Sequence, residues 1–320
     1  MTTRQTVRQR LLQTYARLVF RRDELIDAGW RPRDITTAVR TGRLLRLRRN
    51  RYALPDVDPA IADAVRAGGR LCCLSLLEMI GVFVLAAPTV HIHVPPNAGR
   101  LPQRPGGVRL HWGAWAADGA PLHVVALADA VLQSVRCQSL RAALATLDSV
   151  VHHRLMTVRQ LETLFERLPA RFAVLLKLVD GAAESGSETF MRLILRALGV
   201  RFQTQVVIPS VGRVDFLVEG WLIIECDSKE FHEGWEKQRE DRLRDLAAAM
   251  QGYVTVRPMA SDIFEAPDRL REQLRQVIQA LRPRGAAGRG ARGVHNSGRT
   301  AGTQARRAVP ARIRPTVPEL

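Results

Sequence analysis

The chain has 320 residues, 46% of them apolar and 25% charged, with a net charge of +17. That length supports two or three domains with cores of their own, and no run approaches the roughly 18 consecutive apolar residues that cross a bilayer. Charge runs through the first 25 residues without an apolar stretch leading to a small-residue cleavage site, so no ordinary signal peptide is expected there. The four cysteines, Cys72, Cys73, Cys137 and Cys226, form no C-x-x-C pair and suggest no disulfide framework, so a cytoplasmic protein is expected.

The charge sits at the two ends. Residues 1–55 hold 14 Arg against 4 acids, and residues 282–320 hold 9 Arg against Glu319 alone. The ends therefore carry +10 and +8, and the 226 residues between them come to about −1. Arginine neutralises phosphates and releases their counterions, so a near-neutral body with basic ends suits a polyanion partner, here DNA rather than a membrane. Lysine occurs only at Lys177, Lys229 and Lys237, which leaves most phosphate contacts to arginine. No aromatic residues interleave the basic runs in the manner of single-strand stacking.

From the N-terminus, residues 4–19 repeat apolar positions at helical spacing, with Leu11, Leu12, Tyr15 and Leu18 on one stripe. A short helix over 22–28 closes at Gly29. Arg31-Pro32-Arg33-Asp34 opens a second, from Ile35 to Thr41, ended by Gly42. Residues 44–55 read as two short strands turning at Arg49-Asn50. The pattern predicts a helix-turn-helix with a β-wing over 1–55. Arg31, Arg33, Arg40 and Arg43 on the second helix, with Arg46, Arg48, Arg49 and Arg51 on the wing, are the candidate DNA contacts. The stretch LIDAGWRPRDITTAVRTGRLLRLRRNRYALP resembles the winged-helix domain at the start of AbiEi-type antitoxins, chiefly in its G-x-L-x-R-x-R-x-x-x-Y-x-L-P end. The resemblance implies a DNA-binding regulator and, in the antitoxin role, a cognate toxin as second partner. A winged helix can also serve as a protein-docking module.

Residues 56–183 predict a mainly helical middle domain. Helices are expected at 59–67, 74–80, 123–136, 139–153 and 157–167, with a strand pair at 90–95 and 108–112 joined by a Pro/Gly/Arg-rich loop. His91 and His93 share one strand face, with His111 on the second strand. Imidazole ligands ordinarily come with carboxylate or cysteine partners, and none stands nearby in the sequence, so a metal site there is disfavoured.

Residues 184–281 predict helix, strand, strand, strand, helix, strand, helix. The first helix, 187–198, buries Phe190, Leu193, Ile194, Ala197 and Leu198. The long one, 235–250, turns Leu243, Leu246, Ala247 and Met250 inward. Asp215 lies between Val214 and Phe216 on one strand, and Glu225 follows the apolar run Trp221-Leu222-Ile223-Ile224 on the next. A tight turn at 219–220 makes facing residue numbers sum to 439–440, which sets Asp215 beside Glu225. Two adjacent carboxylates repel unless a cation lies between them. Asp227, two residues on, shares the face of Glu225. Such an oxygen-rich set suits Mg2+ or Mn2+.

RVDFLVEGWLIIECDSKEFH, with EDRLRD and GYVTVRP after it and SGSETFMRLILRALGV before it, is similar to very-short-patch-repair-type endonuclease domains of the PD-(D/E)XK nuclease fold. The resemblance implies an α/β domain with a mixed sheet flanked by helices. It also implies Asp215 and Glu225 as metal-holding acids, and Asp227 as a further metal or proton-transfer group. Glu188 would be the helix acid reaching the site, and His232 an acid/base or phosphate contact. The position that commonly holds Lys is Asp227, with Lys229 displaced by two residues. Asp227-Ser228 replaces a frequent Asp-Gly, so the turn is less free to take positive φ. Glu188 also fits a capping box with Ser185, while Asp241 and Asp245 near Arg242 and Arg244 read as surface ion pairs. The expected function is a metal-dependent DNA endonuclease. The alternative is an antitoxin-like transcriptional regulator whose nuclease fold is inactive. Residues 282–320, rich in Gly, Ala, Pro and Arg, are expected to be disordered.

Overall fold

The computed structural model describes residues 5–99, 107–114, 121–226 and 235–281, with the basic segment 282–320 outside the described residues. Among these residues the architecture is α/β, with twelve helices and three small sheets. Among the described residues no helix is long and apolar enough to cross a membrane.

The first part comprises α1 (Val7–Thr14), β1 (Val19–Phe20), α2 (Arg22–Asp27), α3 (Pro32–Arg40), β2 (Leu45–Arg48) and β3 (Arg51–Ala53). Thr6 and Gln9 form a reciprocal capping box that starts α1. The helix stops at Thr14, short of residue 19, because Val19 and Phe20 pair antiparallel with Ala53 and Tyr52. Leu12 is consequently 68% exposed instead of lying on the buried stripe. The hairpin turns at Asn50, whose φ is +59 and whose side-chain oxygen accepts the Arg22 N–H at 2.7 Å, tying the turn to α2. Phe20, Leu25, Trp30, Ile35, Ala38, Leu44 and Tyr52 form a core beneath α2 and α3.

The middle holds α4 (Pro59–Arg66), β4 (Arg70–Leu71), α5 (Cys73–Met79), β5 (Val90–Val94), β6 (Val108–Trp112), α6 (Leu127–Cys137), α7 (Leu140–His152) and α8 (Val158–Phe165). Its sheet runs β4-β5-β6, with β5 and β6 parallel and β4 antiparallel to β5. The helix expected from residue 123 starts at Leu127, since Leu71 takes the carbonyl of His123 and gives its own to Val125. Val19, Leu47 and Ala53 pack into one core with Ile61, Leu76, Ile92 and Leu144, so apolar contact is continuous across residue 55.

The last part contains α9 (Gly186–Leu198), β7 (Phe202–Ile208), β8 (Gly212–Val218), β9 (Leu222–Ile224), α10 (Trp235–Met250), β10 (Val254–Val256), α11 (Ala260–Glu265) and α12 (Pro267–Leu281). The sheet order is β10-β9-β8-β7, with β10 parallel to β9 and the rest antiparallel. On one face Phe190, Met191, Ile194 and Leu195 of α9 pack with Phe216, Leu222, Ile224, Ile263 and Leu274. Ala197 faces solvent, and Arg192 is buried on α9 instead. On the other face α10 meets Val214 and Ile223 through Ala248. Leu243, Leu246 and Met250 are exposed, contrary to the expected apolar face, because small alanines bring this helix onto the sheet.

Gly186 opens α9 where a side chain has no room: a Cβ there would lie 2.1 Å from the tip of the Phe83 ring. Gly186→Ala is therefore expected to destabilise the chain by about 1–3 kcal/mol, read as a lower urea midpoint. An unchanged midpoint would show that Phe83 swings aside.

Candidate functional site

The pairs Phe216↔Ile224, Leu217↔Ile223 and Val218↔Leu222 carry β8 and β9 through a turn at Glu219-Gly220 whose φ values are +50 and +76. One step further along this register Asp215 comes opposite Glu225. The Asp215 carboxylate accepts the Cys226 N–H at 2.8 Å, so it reaches across to the exit of β9. On the other side, Thr204↔Phe216 and Val206↔Val214 leave Gln205 facing Asp215. Gln205 has φ +53 in mid-strand, a costly conformation for a residue with a side chain and one concentrated at functional positions. Its amide donates to Glu188 Oε2 at 2.8 Å and lies 3.5 Å from Asp215 Oδ1.

Glu188 stands in the first turn of α9, 6% exposed. It accepts hydrogen bonds from the Ser185 hydroxyl at 2.9 Å and the Glu184 N–H at 3.1 Å, as well as from Gln205. The expected capping box is only half formed: Ser185 Oγ accepts the Glu188 N–H, while the Glu188 carboxylate bonds the Glu184 N–H and turns toward Gln205. Glu225 is half-buried and meets Arg244 at 3.0 Å, whose guanidinium also donates to the carbonyls of Val211 and Arg213. Arg244 also lies 3.8 Å from Asp241, and Asp245 pairs with Arg257 at 2.8 Å.

Burial pushes the carboxyls of Glu188, Asp215 and Glu225 above the usual carboxylate range, and the charge of Asp215 adds to the rise at both glutamates. Hydrogen bonds to the acids and the charge of Arg244 beside Glu225 oppose it. A folded-state pKa above the unfolded one means stability present at acid pH that is lost as pH rises through the folded value. At neutral pH the cluster therefore weakens the fold unless a cation offsets its charge.

Of the six candidate catalytic residues, the structure brings together Glu188, Asp215 and Glu225. Asp227, Lys229 and His232 lie outside the described residues. Gln205 escapes the sequence reading, because only the observed β7–β8 register, with Ile208 opposite Gly212, sets it across from Asp215. Arg244 was hidden as one charge among several on a polar helix.

On the N-terminal part, Arg31, Arg33, Arg40, Arg43, Arg46, Arg48 and Arg49 are exposed and Arg51 is half-buried. Arg33 lies 3.8 Å from Asp34, and Arg43 contacts the Thr41 hydroxyl at 3.4 Å. Arg48, Arg49 and Arg51 join Arg21 and Arg70 around a cavity of about 340 Å3. Burial first and neighbouring guanidinium groups second push Arg51 and Arg70 down, the signature of crowded positive charge that an anion would relieve. Arg70 is invisible to a reading confined to 1–55, because it arrives from the start of the middle part.

The histidines of β5 and β6 require a correction. Cysteine partners do stand beside them, brought by helices distant in sequence. One ligand atom each from Cys73, His91, His111 and Cys137 lies within 4.8 Å of all the others, a set that could hold a metal ion. Among the described residues no other His, Cys, Asp and Glu side chains draw together so tightly, the acidic cluster included. Its sulfur and nitrogen donors do not suit Mg2+. Burial pushes the Cys73 thiol up, while hydrogen bonding from Cys73 pulls Cys137 down. His93 is not a member: its ring nitrogens meet the Gly113 carbonyl at 3.1 Å and the Gln133 amide at 2.9 Å. No protein-family model matches the chain, and no curated protein matches it.

Proposed function

We propose that the chain is a metal-dependent DNA endonuclease, in which a winged helix-turn-helix over 1–55 holds the duplex for an acid site of PD-(D/E)XK type on the 184–281 sheet. The observation that carries this reading is the convergence of Glu188, Asp215 and Glu225, with Gln205 reaching two of them. Three acids raised by burial, with the charge of Asp215 adding to the rise at Glu188 and Glu225, are an unfavourable arrangement that a hard cation reverses. Their all-oxygen donor set fits Mg2+ or Mn2+, and the sequence supplies a fourth acid, Asp227, two residues after Glu225. A bound ion would supply charge stabilisation for phosphodiester hydrolysis. Gln205 steadies the Glu188 carboxylate, the Cys226 N–H orients Asp215, and Arg244 sets the rotamer of Glu225. On the strength of the resemblance His232 would serve as acid/base or phosphate contact, and Lys229, two residues past the usual lysine position, would be the candidate catalytic lysine. The exposed arginines of α3 and the β2–β3 hairpin supply sequence-independent phosphate contacts that position the duplex.

The test is incubation of supercoiled plasmid with the full chain in Mg2+, in Mn2+ and in EDTA. Nicking in either metal and none in EDTA is expected. Failure in both metals, with DNA binding intact, would sink the nuclease and leave the antitoxin-like transcriptional regulator. The Glu225–Arg244 ion pair favours that second reading, since the protein's own cation already covers one acid. Under either reading, Arg46→Ala with Arg49→Ala should weaken DNA binding and lower the slope of log K against log salt by about two. An unchanged slope would remove the hairpin from the DNA interface.

A further inference from the structure

We propose that Cys73, His91, His111 and Cys137 form a closed zinc site that fastens the parallel β5–β6 pair to helices α5 and α6. These four side chains include none of the acid site's residues. Tetrahedral zinc, with bonds of about 2.3 Å to sulfur and 2.0–2.1 Å to nitrogen, sets its ligand atoms about 3.3–3.8 Å apart. His91 Nδ1 and His111 Nε2 are 3.0 Å apart, and Cys137 Sγ lies 3.7 Å from the same His111 nitrogen. These spacings need shifts of only a few tenths of an ångström to reach tetrahedral values.

The donors come one from each of four elements. Cys73 starts α5, His91 is on β5, His111 on β6 and Cys137 ends α6. Two imidazole nitrogens facing each other share at most one hydrogen, whereas as ligands both lone pairs aim at one ion. Apolar side chains would fill this part of the core at lower cost than one buried and one half-buried polar ring. Cys72, the next residue back, shows the contrast: it is fully buried but stands outside the ligand set. Cys73 adopts φ +52, a left-handed conformation costly for a residue with a Cβ, and in it the thiol is turned into the cluster. His111 and Cys137 are half-buried, which leaves the ion a way in.

Two thiolates and two imidazoles select zinc over the hard cations suited to the acid cluster. Four protein ligands leave no position for water or substrate, so the site is structural. It ties together elements that the backbone joins only through long connections, which is where a metal cross-link restrains the unfolded chain most.

The full chain, expressed with zinc in the medium and dialysed without chelator, should contain one zinc ion per chain by elemental mass spectrometry. Exchange for Co2+ should give the visible absorption of a tetrahedral thiolate complex. Cys137→Ser and His111→Gln should each lose the zinc and the cobalt spectrum, while Asp215→Asn keeps both. A chelator strong enough to remove the ion should lower the Tm by roughly 5 °C or more. Zinc-free wild type with no cobalt spectrum would overturn the proposal. So would zinc retained at full stoichiometry in both variants, or a Cys73–Cys137 disulfide in the non-reduced protein. If Cys137→Ser proves insoluble, the half-buried His111→Gln and the wild-type stoichiometry still decide.

Discussion

In buffer containing Mn2+, Asp215→Asn is expected to nick supercoiled plasmid at least about a hundredfold more slowly than the wild type, because losing even an outer partner of a metal ligand costs about ten- to a hundredfold. Asparagine is the informative replacement. Its carbonyl oxygen can still accept the Cys226 N–H that the carboxylate accepts at 2.8 Å, so the β8–β9 geometry survives. The same variant should melt higher than the wild type in EDTA at neutral pH. The Asp215 carboxyl is raised by burial, and its negative charge raises Glu188 and Glu225. Stability from a raised acid is present below the ordinary carboxylate pKa and is lost as pH rises through the folded value. A neutral amide removes that loss, and the gain should shrink as the pH is lowered. Lower activity with higher stability separates a functional cluster from a structural one. Cleavage at the wild-type rate would remove Asp215 from the reaction, and a lower Tm in EDTA would show that its charge supports the fold.

Asp148→Ala should destabilise the chain by about 3–5 kcal/mol, the usual consequence of removing one partner of a buried ion pair. Asp148 on α7 and Arg192 on α9 are each 1% exposed and directly paired. Asp148 also accepts the Thr189 hydroxyl and the Asp180 N–H, both at 2.7 Å, and Arg192 meets Asp180 at 2.7 Å. Burial pushes Asp148 up to about 6 despite the opposing charge of Arg192. The intact pair therefore adds little net stability, and the cost lies in breaking it. Asp148→Leu combined with Arg192→Met, which removes both charges, should recover most of the loss in urea denaturation. A single variant within about 1 kcal/mol of wild type would mean that water reaches Arg192 when its partner leaves.

Much of the acid site is legible in the sequence because short-range geometry governs it. The short connection Glu219-Gly220-Trp221 sets the β8–β9 register, and register alone sets Asp215 across from Glu225. Glycines and Asn50 mark turns for the same local reason, since positive φ favours them. Periodicity misleads where two partners compete for one segment. Val19 and Phe20 continue the helical apolar pattern of α1, yet strand pairing with Ala53 and Tyr52 claims them. On α10, leucine spacing points to a buried face, but the sheet receives Ala248 and leaves Leu243 and Leu246 in solvent.

The sequence by itself determined where most of the tight turns fall, how charge is distributed, and which acids share a hairpin. All of these depend on residues within a turn or two of one another. Only the tertiary structure decided that Cys73 and Cys137 meet His91 and His111, that Arg70 joins the arginines of the first hairpin, and that Arg192 is buried against Asp148. Those contacts join elements far apart in the chain. They depend on how helices seat on sheets, and that seating is chosen by the whole core together, with no local spacing to announce it.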